Sequence, residues 1–221
     1  MKVYYIDNDD IKKNGSDIPN WFSSYEILQI TFPVKDLTTL GLYAYQALAH
    51  VLLDEFHLTG PLIISKTLNG KPFIENCQFT ISISHYENGI VFSIAKYPHG
   101  IDAEIIKPVP NSIVNRFFSQ KNQIKLSGSC NRTLDSCKMW TQMEALTKLI
   151  GANLDEIIQN IELNKDVLFF ANNKYISQSI QLRESDLLTV VFPMKEIEIE
   201  VYKIQQDLLN FKLTKQLIKI L

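Results

Sequence analysis

Charge of one sign is nearly absent as a net quantity: 22 lysines and arginines face 24 aspartates and glutamates, giving a formal net charge of −2 and a pI near 6.1. Without a basic field, nucleic acid is disfavoured as the main partner, although a local phosphate pocket stays open. Cysteine is scarce. Cys77, Cys130 and Cys137 are an odd number without zinc-type spacing, which excludes a disulfide framework and fits reduced thiols in the cytoplasm. No apolar run approaches the ~20 residues needed to cross a bilayer, and Met1–Asp7 reads as a short strand, without the long apolar region of a signal peptide. The expectation is a soluble cytoplasmic protein with no membrane partner. What remains is ordinary globular composition, 46% hydrophobic and 21% charged over 221 residues, enough for one large domain or two small ones.

Periodicity orders the chain. After the first strand, Asn8–Asn20 is polar and reads as a loop, and Trp21–Leu28 as a short helix. Leu40, Ala44, Ala47, Leu48, Val51 and Leu52 recur at helical spacing, which predicts an amphipathic helix over Thr38–Phe56 packed on a sheet. Gly60-Pro61 breaks the chain, and Leu62–Thr67 is a strand leading to an Asn69-Gly70 turn. Alternation in Phe79–His85, Ile90–Ala95 and Ile101–Ile106, joined by short turns, predicts three strands of one antiparallel sheet. Lys107-Pro108-Val109-Pro110 interrupts the pattern and places a boundary between halves spanning residues 1–106 and 107–221.

The second half reads as helices first and strands after. Asn111 caps a short helix to Phe117-Phe118, a polar helix follows from Ser119, and a longer one covers Thr133–Ile150 and stops at Gly151. Strand-like runs follow at 167–170, 175–182, 187–192 and 197–203, and Leu208–Leu221 reads as a terminal amphipathic helix. The halves therefore share an order of elements, although their sequences are not visibly alike. The predicted class is α+β.

Two stretches carry chemistry. On the strand Gly100-Ile101-Asp102-Ala103-Glu104, alternation puts Asp102 and Glu104 on one face. On the helix, Trp140, Glu144 and Lys148 stand four apart and form one stripe, a third carboxylate between an aromatic ring and a cation. Three convergent carboxylates beside a lysine suggest a hard divalent cation handling a phosphorylated substrate. Taken singly, each motif is more often a solvated strand face or a surface ion pair. The double Phe117-Phe118 is more often core than docking surface, and His50, His57 and His99 have no partner pattern.

In order, Gly70-Lys71-Pro72, Ile83-Ser84-His85, Gly100–Glu104, Phe117-Phe118-Ser119 and Trp140-Thr141 to Glu144-Ala145 to Lys148 resemble the surfactin-type (Sfp-type) 4'-phosphopantetheinyl transferases. The resemblance implies a monomer of two similar α+β halves related by a pseudo-twofold axis, each a small antiparallel sheet on a long helix, with coenzyme A in the cleft between them. It implies transfer of 4'-phosphopantetheine from coenzyme A to a serine of an apo acyl or peptidyl carrier protein, releasing adenosine 3',5'-bisphosphate. Asp102 and Glu104 are expected to hold magnesium, with manganese as a substitute, and Glu144 either completes the metal shell or accepts the serine proton. Lys148 is expected to pair with the pyrophosphate and offset the leaving charge. Lys71, Ser84 and His85 are expected at the 3'-phosphate and adenosine end. Carboxylates facing a pyrophosphate repel it by about 4 kcal/mol per charge pair at about 4 Å and an effective dielectric of about 20, which is why the cation is required.

Two departures stand out. Where the family has lysine before the helix glutamate, this chain has Met143, on an apolar stripe with Met139, Leu146 and Ile150. Ahead of the first-half helix, Pro33–Thr39 offers only Lys35 to grip the 3'-phosphate. Each missing charge-assisted hydrogen bond costs about 1.5–3 kcal/mol, an order of magnitude or two in affinity. The rival reading is a degenerate homologue that binds coenzyme A or a carrier without efficient transfer. A third is another metal-dependent phosphoryl-transfer enzyme. Lys121, Lys125, Arg132 and Lys138 are expected to form an edge for acidic carriers.

Overall fold

The computed structural model describes residues 1–13, 28–30, 39–59, 61–193, 197–206 and 211–221. The elements are β1 (Lys2–Asp7), α1 (Asn8–Lys13), β2 (Leu28–Ile30), α2 (Thr39–Asp54), β3 (Leu62–Lys66), β4 (Pro72–Ile74), β5 (Thr80–Tyr86), β6 (Gly89–Ala95) and β7 (Gly100–Ile105). They continue with α3 (Asn111–Phe117), α4 (Gln120–Ser127), α5 (Arg132–Ile150), α6 (Leu154–Ile157), β8 (Glu162–Asn164), β9 (Val167–Phe170), β10 (Asn173–Arg183), β11 (Asp186–Phe192), β12 (Glu200–Gln206), β13 (Phe211–Lys215) and β14 (Lys219–Ile220). Helices and largely antiparallel sheets make the class α+β, as expected. No described helix is long and apolar enough to cross a membrane. The helix expected from Trp21 lies outside the described residues except for Leu28, which opens β2.

Two units divide the chain, Met1–Tyr97 with Ile199–Gln216, and Pro98–Glu198 with Leu217–Leu221. In the first, the sheet order is β13-β12-β1-β6-β5, and a smaller sheet is β2-β3-β4. Tyr4 on β1 stacks between Phe92 and Tyr202, with ring centroids 5.2 and 5.4 Å away, because β1 pairs antiparallel to β6 and parallel to β12. A parallel pair needs a long crossover, and here Pro98–Glu198 of the second unit intervenes in sequence between β6 and β12. The predicted stripe of α2 is buried at Ala44, Ala47, Leu48, Val51 and Leu52 against this sheet.

The second unit has the antiparallel order β7-β11-β10-β9-β8, with β14 also on β10. Across β7 and β11 lies α5. Its start is fixed by Asn131, whose side chain accepts from the Leu134 amide at 3.2 Å. Its end is fixed by Gly151, whose φ of 68° suits the left-handed cap that glycine adopts without a Cβ penalty.

Four local readings are corrected. Asn8–Lys13 is the helix α1, where the sequence reads a loop from Asn8. The strand Gly100–Ile105 does not join β5 and β6: it pairs with β11, and the division falls at Tyr97–Pro98 where the sequence suggested Ile106. A short turn fixes proximity in sequence, but β11, within the second unit, supplies the backbone partners of Gly100–Ile105. The terminal helix is absent from the described residues, for Phe211–Lys215 forms β13 on β12, with Leu213 packed on the core and Lys212 and Thr214 alternating away from it. Asn111 is the first residue of α3 and Pro110 holds the cap position, without a side-chain bond.

Candidate active site

Strand β7 and helix α5 bring the carboxylates together within the second unit. Strand pairing sets Gly100, Asp102 and Glu104 on one face, opposite Val191, Thr189 and Leu187 of β11. That face meets α5. A Cβ on Gly100 would lie 2.0 Å from the Ala145 carbonyl oxygen and 2.6 Å from the Leu149 amide nitrogen, so the helix backbone rests directly on this glycine.

With the helix this close, Lys148 Nζ donates to Asp102 Oδ1 at 2.7 Å. Asp102 is 5% exposed, so its charge sits in low dielectric with an ammonium against it. Glu144, one turn before Lys148, has its pKa pushed up to about 7, first by burial and then by the Asp102 charge. Lys148 opposes the rise and Glu104 adds to it. Asp102, Glu104, Glu144 and Lys148 therefore share one electrostatic neighbourhood, as the motif reading predicted. Among the described residues, no group of three or more histidine, cysteine, aspartate or glutamate side chains is arranged to hold a metal ion by itself.

Beyond Glu104 opens a cavity of about 160 Å³, lined by Glu104, Pro108, Val109, Ile113, Cys137 and Trp140 among others. Sequence reasoning read Lys107–Pro110 only as a breaker. The missed signal was that an apolar Pro-Val-Pro directly after a carboxylate strand stays beside the carboxylates. Burial pushes the Cys137 thiol up to about 12, with the Glu104 charge adding to the shift. Trp140 packs on Phe117 with centroids 5.8 Å apart, and Phe118 is buried, so both phenylalanines serve packing.

Lys71, Ser84 and His85 belong to the first unit. Lys71 follows the Asn69-Gly70 turn, where Gly70 has a φ of 81°, and burial lowers its pKa. Adjacent residues on β5 face opposite ways: Ser84 is buried and His85 exposed. Met143 is fully buried among Leu146, Leu149, Leu163 and Leu168, which bears out its reading as a core side chain. Lys35 lies outside the described residues. The expected basic edge is internally engaged: Lys121 pairs with Glu162 at 2.9 Å, Lys138 with Asp166 at 3.1 Å, Lys125 donates to the Leu163 carbonyl, and Arg132 to Asn111 Oδ1 at 3.2 Å.

A strand-borne Asp-x-Glu facing a helix-borne Glu and Lys is the arrangement that the family resemblance required. Residues 98–192 match the 4'-phosphopantetheinyl transferase superfamily. The matched stretch opens where the second unit does, at Pro98, and contains Asp102, Glu104, Glu144 and Lys148, while Lys71, Ser84 and His85 lie before it. The chain is similar to 4'-phosphopantetheinyl transferase gsp of Aneurinibacillus migulanus, 28% identical over 119 residues, 51% of this chain and 50% of that one. It is also similar to 4'-phosphopantetheinyl transferase psf-1 of Bacillus pumilus, 33% identical over 109 residues, 48% of this chain and 47% of that one. The chain thus spans about half the length of the curated relatives it matches.

Proposed function

We propose that this protein transfers 4'-phosphopantetheine from coenzyme A to a serine hydroxyl of an apo acyl or peptidyl carrier protein. The carrying observation is that the residues matching the transferase superfamily are the same ones that β7 and α5 bring into one electrostatic neighbourhood. In the reaction, a bond forms between the serine oxygen and the phosphorus bearing pantetheine. The bond from that phosphorus to the bridging oxygen breaks, and adenosine 3',5'-bisphosphate leaves with the electron pair.

The donor set fits magnesium, with manganese as a substitute: all oxygen, two carboxylates on a strand and a third on a facing helix. Magnesium commonly takes one or two carboxylates and completes its shell with water and substrate phosphates, so a three-donor protein cage is not needed. When bound, the ion offsets the repulsion between Asp102, Glu104 and the pyrophosphate. Asp102 and Glu104 hold it; Glu144 either joins them or takes the serine proton, for which a pKa of about 7 is suited at neutral pH. Lys148 offsets charge on the leaving oxygen. The apolar cavity beside Glu104 accommodates the pantetheine arm. We include in this reading a monomeric, cytoplasmic protein.

The degenerate-homologue reading loses its main support at Met143, since a fully buried side chain replaces core volume and leaves the carboxylates in place. The test is release of adenosine 3',5'-bisphosphate from coenzyme A, followed chromatographically with an apo carrier and magnesium. Release that depends on carrier and is abolished in Asp102→Ala is expected; carrier-independent turnover, or full activity in that variant, overturns the proposal.

A further inference from the structure

Beneath α5 runs a line of buried hydroxyls that the chemistry above does not use. Ser179 of β10 stands opposite Thr189 of β11, and Thr189 opposite Asp102 of β7. Directly paired residues share a face, so the three form one transverse row on the side that α5 covers. Thr189 Oγ1 is 2.7 Å from Thr141 Oγ1 and 3.1 Å from Ser179 Oγ, and Thr141 Oγ1 donates to the Lys138 carbonyl at 3.1 Å. A hydroxyl has one proton to give. With the Thr141 proton on Lys138, Thr189 donates to Thr141 and Ser179 donates to Thr189, a single chain directed from sheet to helix. Beside it, Gln142 Nε2 donates to Ser177 Oγ at 2.7 Å and to the Lys165 carbonyl at 2.8 Å. Thr141, Gln142, Ser177, Ser179 and Thr189 are all buried.

Apolar packing specifies depth better than axial position. A buried hydroxyl pair specifies both, because a slip of one residue, about 1.5 Å along the helix, breaks the chain and strands its members away from water. On α5, Thr141, Glu144, Ala145 and Lys148 fall at i, i+3, i+4 and i+7, one stripe. The anchor is thus on the stripe that carries the site residues, and its sheet partner is Asp102's own neighbour.

We propose that Thr189, held between Thr141 and Ser179, is a positioning residue that fixes the register of α5 on β7 and thereby sets the divalent-cation affinity of the carboxylates. This rests on the reading of Asp102, Glu104 and Glu144 given above. The test is manganese binding to the whole protein, measured from the electron paramagnetic resonance of the free ion, alongside thermal unfolding in chelator. Thr189→Val keeps the volume and removes the hydroxyl; Thr189→Ser restores it. The expectation is an affinity loss of about 10–100-fold in Thr189→Val, as for other groups that orient metal ligands, and recovery in Thr189→Ser. Should Thr189→Val not fold, Ser179→Ala at the chain's end takes its place, with a smaller loss in the same direction. Wild-type affinity in a folded Thr189→Val, or in Ser179→Ala, overturns the positioning role. Wild-type protein that binds no manganese overturns instead the reading of the carboxylate site on which the proposal rests.

Discussion

Gly100→Ala isolates how much of the site depends on the close approach of α5. The added Cβ meets the Ala145 oxygen at 2.0 Å and the Leu149 nitrogen at 2.6 Å, where ordinary contact begins at 3.4 Å. Both obstacles are helix backbone and cannot rotate away. The larger shortfall is 1.4 Å at Ala145, so α5 must retreat from β7 by about that much. Gly100 does not adopt a positive φ, so space alone is at stake. Overpacking of this kind costs about 1–3 kcal/mol, and at about 2–4 °C per kcal/mol for a chain of this size the melting temperature falls by roughly 2–12 °C. The site suffers more than the fold. A retreat of that size stretches the 2.7 Å contact between Lys148 and Asp102 beyond hydrogen-bonding distance, and a misplacement of about 1 Å costs on the order of 100-fold in rate. Carrier-dependent release of adenosine 3',5'-bisphosphate, with unfolding followed by circular dichroism, reads both effects. A Gly100→Ala protein with wild-type melting and wild-type turnover refutes the close-approach argument.

Other expectations follow from burial. Met143→Lys restores the family's residue type but inserts an ammonium into a site with no exposure. Urea unfolding should show a loss of several kcal/mol, about the cost of an unpaired buried charge, and transfer should not improve. A gain in turnover would contradict the core role of Met143. At pH 8, a maleimide should label exposed Cys130 and leave Cys137 unmodified until urea is added, because burial holds the Cys137 thiol near 12; peptide mass spectrometry locates the adducts. Glu144 gives a pH signature in chelator. Its pKa rises from 4.5 to about 7 on folding, so the folded state holds the proton more tightly and its contribution to stability is lost as pH rises through that window. Wild-type stability should fall relative to Glu144→Gln between those values, and parallel curves would contradict the assignment.

The site was legible because it is built from two local patterns. Alternation on Gly100–Glu104 and four-residue spacing on Trp140–Lys148 fix which side chains share a face before any tertiary contact exists. Their juxtaposition came from the family resemblance, and the structure supplies its physical means, a glycine that admits the helix backbone. Sheet membership was not legible: β7 follows β6 after a short turn yet pairs with β11, more than eighty residues further on. The C-terminal segment misled for a related reason. Leu213, Leu217 and Ile220 satisfy a helical spacing, yet pairing with β12 and β10 drew Phe211–Lys215 and Lys219–Ile220 into strands. The hydroxyl chain was invisible because Thr141, Ser179 and Thr189 are unremarkable residue types whose meaning lies in their pairing register. The four lysines and arginines set aside for carrier docking looked free in sequence, while carboxylates and carbonyls distant in the chain engage them.

The central claim is transfer of phosphopantetheine, and intact-protein mass spectrometry tests it most directly. An apo acyl carrier and an apo peptidyl carrier are each incubated with this protein, coenzyme A and magnesium, with a chelator control. The account predicts that at least one carrier gains the mass of a single phosphopantetheine group and that chelator prevents the gain. Two unmodified carriers, in the presence of protein shown separately to bind coenzyme A, would contradict it.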